Sequence, residues 1–141
     1  MKKGLIIYNS RTGITRRFGE EMQDFLIHKG MDVKIMSIDD FNPGELSNSD
    51  FLLLGCWTSG LMICLQHPEK KWVRFAEGLS DLTGKKIGLF TTYKLATGTM
   101  FKKMKVHIPG KQAEAWLELK SRNGHLSEMI KSELTHFIET L

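Results

Sequence analysis

Cysteine is scarce in this sequence, with only Cys56 and Cys64 among 141 residues. Two thiols are too few for a disulfide framework, and their spacing fits neither a C-x-x-C redox pair nor a metal-ligand pattern. A reducing compartment is the expectation. Long apolar runs are missing as well. No stretch approaches the roughly 18 residues needed to cross a bilayer. The basic start Met1-Lys2-Lys3 leads into Gly4-Leu5-Ile6-Ile7-Tyr8, which is too short for a signal-peptide core. The expectation is a soluble, cytoplasmic protein with no membrane association. The histidines His28, His67, His107, His125 and His136 show no pairing at metal-ligand spacing, which argues against a metal site. A G-x-S-x-G elbow is lacking, and no nucleophile triad is evident. With no internal repeat, linker or low-complexity segment, residues 1–141 read as one domain.

The material that is present suits a compact core: 41% of the residues are hydrophobic. Charge is unevenly placed. Residues 1–65 carry seven Lys and Arg against eight Asp and Glu, residues 66–111 carry ten against three, and residues 112–141 carry three against five. The middle third is the basic part, an asymmetry that bears on steering and partner choice rather than on fold. The cations Lys70, Lys71, Arg74, Lys85, Lys86, Lys102, Lys103, Lys105 and Lys111 form either a solvated face or a surface for an acidic partner. No recognition motif or interleaved aromatics accompany them, so nucleic acid is not expected as a partner.

Periodicity divides the chain into alternating strands and helices. Leu5 to Tyr8 has strand length, and Ile14, Phe18, Met22, Phe25 and Leu26 fall on one helical face that Gly30 stops. Asp32 to Ile38 alternates as a strand, and Asn42-Pro43-Gly44 breaks the pattern. Phe51-Leu52-Leu53-Leu54-Gly55 is apolar on both faces, as in a central parallel strand covered above and below. Trp72, Phe75, Ala76 and Leu79 mark a second helix, Lys86 to Thr91 a second central strand, and about Thr99 to Lys105 a short helix. Ala113 to Lys120 reads as an edge strand, and Leu126, Met129, Ile130, Leu134, Phe137, Ile138 and Leu141 as a final helical stripe. Five strands alternating with helical stretches predict an α/β fold, a parallel sheet with helices on both faces. In such sheets ligands sit beyond the carboxyl ends of the strands where the strand order reverses, which draws attention to the loops after the first, third and fourth strands.

The first of these loops, Asn9-Ser10-Arg11-Thr12-Gly13-Ile14-Thr15, sets hydroxyl groups and a glycine just before a helix. Outward-pointing N–H groups, the helix dipole and Ser/Thr hydroxyls together suit a phosphate. The same residues also serve as ordinary helix caps, and spacing alone leaves both readings open. No Gly-Lys-Ser/Thr follows, so the loop is not a Walker motif. The pattern S-x-T-G-x-T after a first strand resembles the phosphate loop of the flavodoxin family, with Arg11 and Ile14 in its variable places. The likeness extends to Leu53-Leu54-Gly55-Cys56-Trp57-Thr58-Ser59-Gly60, similar to the second flavin-contacting loop. It also includes Lys85 to Tyr93, similar to the fourth strand and third loop, and an uninterrupted fifth strand, as in short-chain flavodoxins.

The resemblance implies a three-layer sandwich with strand order 2-1-3-4-5 and flavin mononucleotide (FMN) as cofactor. Its contacts would be Ser10, Arg11, Thr12, Gly13, Ile14, Thr15, Trp57, Thr58, Ser59, Gly60, Thr91, Thr92, Tyr93, Lys94 and Gly98. Trp57 and Tyr93 match the aromatics that flank the flavin ring, where stacking contributes roughly 0.5–1.5 kcal/mol beyond area burial; alternatively Trp57 caps the core and Tyr93 lies on the surface. Electron transfer to or from a protein partner, acidic in character, is the activity implied. The chain departs from the acidic flavodoxins in two ways. Lys94, Leu95 and Thr97 replace the usual third-loop residues, and no carboxylate occurs between Trp57 and Leu65. A cation about 4 Å from a reduced flavin anion gains roughly 4 kcal/mol at an effective dielectric near 20, so a weaker reductant is expected. Two alternatives accompany this reading. One is an FMN-dependent oxidoreductase that docks a quinone on Leu61, Met62, Ile63 and Leu65, and the other is a module that has lost flavin. Cys56 reads as a small buried hydrophobe.

Overall fold

A computed structural model describes residues 1–58, 67–79, 82, 84–94, 97–108 and 117–141. Five parallel strands, β1 (Lys3–Asn9), β2 (Asp32–Ser37), β3 (Phe51–Trp57), β4 (Lys86–Thr92) and β5 (Leu117–Ser121), form one sheet in the order β2-β1-β3-β4-β5. The helices are α1 (Ile14–His28), α2 (Lys70–Glu77), α3 (Met100–Val106) and α4 (Glu128–Glu139). The α/β sandwich with order 2-1-3-4-5 is therefore the observed fold.

Strand alternation builds two cores. Leu5, Ile7, Leu52, Leu54, Ile87 and Leu89 face Trp72 and Ala76 of α2 and Met100 and Met104 of α3. Ile6, Phe51, Leu53, Phe90 and Leu119 face Phe18, Met22 and Leu26 of α1 and Ile130, Leu134 and Phe137 of α4. Successive residues of a strand point to opposite faces, so a continuous apolar run is what a doubly covered strand requires. On the α1/α4 side Phe18 meets Phe90 edge to face at 5.7 Å, and Phe90 lies over Gly55. A Cβ at Gly55 would stand 2.1 Å from Phe90 Cε2, so the ring occupies the space that a side chain would fill.

Several elements differ from the sequence expectation. Between β2 and β3, where Asn42-Pro43-Gly44 breaks the sequence pattern, the chain forms two 3-10 turns, Ile38–Asp40 and Pro43–Asn48. Ser37 Oγ accepts from the Asp39 N–H and Asn42 Oδ1 from the Gly44 N–H, so both turns are capped locally and Pro43 starts the second. On α1 the buried face includes Thr15 and Gly19, whereas Ile14 and Phe25 are only half-buried. Gly19 brings the helix close to the sheet, since its missing Cβ would lie 3.0 Å from Ile35 Cδ1. Leu79 is buried although it lies past the end of α2, and Met129, expected in the α4 stripe, is 72% exposed. β5 ends at Ser121, one residue beyond the expected edge strand, and residues 113–116 of that expectation lie outside the described residues. Among the described residues, no helix is long and apolar enough to cross a membrane.

Candidate functional site

The carboxyl ends of β1, β3 and β4 meet where the strand order reverses, the position that open parallel sheets reserve for ligands. From β1 the chain passes through Ser10 to Thr12 and enters α1 at Gly13, whose φ of 93° is the left-handed conformation that glycine adopts without strain. A Cβ built at Gly13 would meet nothing within 4 Å, so the loop is open on that side. Ser10 Oγ accepts the N–H groups of Gly13 at 3.0 Å and Arg16 at 3.3 Å. The N–H groups of Thr12, Ile14 and Thr15 have no partner among the described residues, and no acidic side chain occupies the first turn of α1. An acceptor oxygen held by two amides beside further open donors is an anion cradle with a hydroxyl already in part of it.

Threonine hydroxyls stitch the neighbouring loops together. Thr15 Oγ1 and Thr92 Oγ1 lie 2.6 Å apart in a buried contact between α1 and β4. Thr91 Oγ1 donates to the Cys56 carbonyl at 2.5 Å and lies 2.8 Å from Thr58 Oγ1, and the Thr58 N–H donates to the Thr92 carbonyl at 2.8 Å. The hydroxyls of Thr15, Thr58, Thr91 and Thr92 are thus engaged with protein partners, whereas the Thr12 side chain is exposed. Ser59 and Gly60, expected as cofactor contacts, lie outside the described residues, as do Cys64 and the expected quinone-docking residues Leu61, Met62, Ile63 and Leu65.

The two expected ring-flanking aromatics are half-buried, and each carries cations. Arg11 Cζ lies 5.2 Å from the centroid of Trp57, which also packs against the α2/α3 core. Arg122 Cζ and Lys120 Nζ lie 5.4 and 5.9 Å from the centroid of Tyr93. Lys94 and Gly98 are exposed, and Gly98 has a positive φ of 52°. Lys120 and Arg122 were not singled out in the sequence. The signal was the parallel pairing itself: Lys120 pairs with Thr91 and Ser121 with Thr92, and the Tyr93 N–H donates to the Ser121 carbonyl at 3.3 Å.

A second missed group is Glu69, just before α2. Asn9 Nδ2 donates to Glu69 Oε1 at 3.1 Å and approaches Cys56 Sγ at 3.8 Å, joining the end of β1 to the start of α2. Burial pushes the Cys56 thiol up to about 12, so at neutral pH it is protonated and unreactive, consistent with a small buried hydrophobe.

A family profile described as Flavodoxin domain matches residues 5–114. The chain belongs to the flavodoxin family. It is 32% identical to a flavodoxin of Clostridium beijerinckii over 106 residues, 74% of this chain and 75% of the relative. To a flavodoxin of Megasphaera elsdenii it is 32% identical over 95 residues, 66% of each chain. Oxidised Flavodoxin 2 from Bacillus cereus has the same fold, with a TM-score of 0.71, 20% identity and 99% of each chain covered. The cofactor of flavodoxins is FMN, and the donor set found here fits it: amides and an exposed hydroxyl without partners among the described residues for a phosphate, with two aromatics for a flat ring.

Proposed function

We propose that this flavodoxin-family chain binds FMN at the carboxyl ends of β1, β3 and β4 and passes electrons to or from an acidic protein partner. The observation that carries the reading is the cradle at Gly13, where the amides of Thr12, Ile14 and Thr15 have no partner among the described residues and the Thr12 side chain is exposed. Phosphate oxygens bring the negative charge that this helix end favours. Ser10 keeps the cradle in shape before binding through its bonds to Gly13 and Arg16. The Thr15–Thr92 and Thr58–Thr91 contacts hold the loops around it at fixed separations, which lowers the ordering cost of binding. Trp57 and Tyr93 supply aromatic faces that cover a flat ring and exclude water from it. Bound FMN supplies the reversible uptake of electrons, and the chain contributes position and electrostatics.

The acidic partner rests on charge. The described parts of the loops after β1, β3, β4 and β5 present Arg11, Lys94 and Arg122 and one carboxylate, Glu69, which is bonded to Asn9. Titrating the purified protein with FMN tests the reading: quenching of flavin fluorescence with saturation at one equivalent is the expected result. No binding at high micromolar FMN would leave a module that keeps the architecture without the cofactor.

A further inference from the structure

The cations around Tyr93 and Trp57 face a site where negative charge changes with redox state. We infer that Lys120, Arg122 and Arg11 stabilise reduced relative to oxidised FMN at this site, and so raise the potential of the bound flavin above that of the same site without them. The inference rests on the proposed FMN site and extends it to Lys120 and Arg122, which lie outside the expected contact set.

Two electrons from the redox partner and one proton from solvent convert the neutral oxidised ring into a reduced ring carrying one negative charge. A cation near the ring stabilises the product of that step and leaves the neutral reactant nearly untouched. Arg122 and Lys120 come from the end of β5 and the turn after it, and Arg11 comes from the opposite side of the site, in the loop after β1. Each is exposed, with its charged head held over an aromatic face rather than buried. The turn that bears Arg122 is tied down. Ser121 Oγ donates to Asn123 Oδ1 and accepts the Gly124 N–H, and Arg17 donates to the Asn123 carbonyl, tying the turn that bears Arg122 to α1. Gly124 has a φ of 81°, and its missing Cβ would lie 2.6 Å from the Ile14 carbonyl, so the turn sits against the first residue of α1.

The test compares the wild-type protein with Lys120→Gln/Arg122→Gln and, separately, Arg11→Gln. Oxidised FMN affinity is measured by fluorescence titration and the midpoint potential by mediated potentiometry. In the double variant the preference for reduced over oxidised FMN should fall about tenfold, a potential lower by roughly 30 mV for a two-electron couple. Arg11→Gln should move it in the same direction, and oxidised FMN should bind the Lys120→Gln/Arg122→Gln variant within about twofold of wild type. Arg122→Lys should retain the wild-type potential, and added salt should shrink the difference between wild type and the double variant. If FMN binds and neither neutralised variant moves the potential, the inference is wrong while the proposed function stands. If wild-type protein does not bind FMN, both fall together.

Discussion

Thr12 and Thr15 occupy equivalent-looking places in the motif S-x-T-G-x-T, yet they stand in different surroundings. Thr15 is buried against Thr92, whereas Thr12 is exposed and its hydroxyl has no partner among the described residues. Removing a hydrogen bond to a charged oxygen costs about 1.5–3 kcal/mol. Thr12→Val should therefore weaken FMN binding about tenfold or more with an unchanged melting temperature. Thr15→Val should lower the melting temperature as well, because it strands the buried Thr92 hydroxyl. Paired thermal melts and FMN titrations separate the two effects.

Elements near the site hold their places by close packing and by a few long-range polar ties. In β3, Gly55 leaves room for the Phe90 ring, which is fully buried and packed on Phe18. Gly55→Ala forces that ring aside and should cost roughly 1–3 kcal/mol, seen as a lower denaturant midpoint. Between α1 and the turn before α4, Glu21 Oε2 lies 2.5 Å from His125 Nδ1, and Glu21 Oε1 accepts the Leu126 N–H at 3.2 Å. Burial alone pushes the Glu21 carboxyl up, but these two hydrogen bonds and the charges of His125 and Arg17 outweigh it and hold it below its ordinary value of 4.5. A depressed carboxylate stabilises the fold above its unfolded-state value, and that contribution disappears as pH falls through the folded one. Wild type should melt above Glu21→Gln at neutral pH, and the gap should narrow as pH falls below 4.5 in melts taken across the acid range.

For the whole molecule the relevant quantity is where the charge sits. A formal net charge of +4 is modest, but the middle third is basic, and the described loops after β1, β4 and β5 present Arg11, Lys94 and Arg122, whereas the segment after β2 carries Asp39, Asp40, Glu45 and Asp50. Attraction between such a face and an acidic redox protein is screened within about 10 Å at 0.1 M salt. Electron transfer to an acidic acceptor protein should therefore slow as ionic strength rises, in stopped-flow measurements at saturating FMN. A basic acceptor should show the opposite salt dependence.

Local chemistry made much of this protein legible in one dimension. The apolar runs Leu5–Tyr8, Phe51–Gly55 and Lys86–Thr91 declared covered strands, and the Ser10–Thr15 motif declared the entry to a helix, because periodicity and turn chemistry act over a few neighbouring residues. The two 3-10 turns between β2 and β3 were hidden behind the break at Asn42-Pro43-Gly44, since they depend on individual caps at Ser37 and Asn42. What only the tertiary structure decided are the contacts across large separations: Asn9 with Glu69, Thr15 with Thr92, Arg11 on Trp57, and Lys120 and Arg122 on Tyr93. Parallel strands are joined through crossovers, so residues at neighbouring strand ends are far apart in the chain, and no local pattern records which side chains will face each other there.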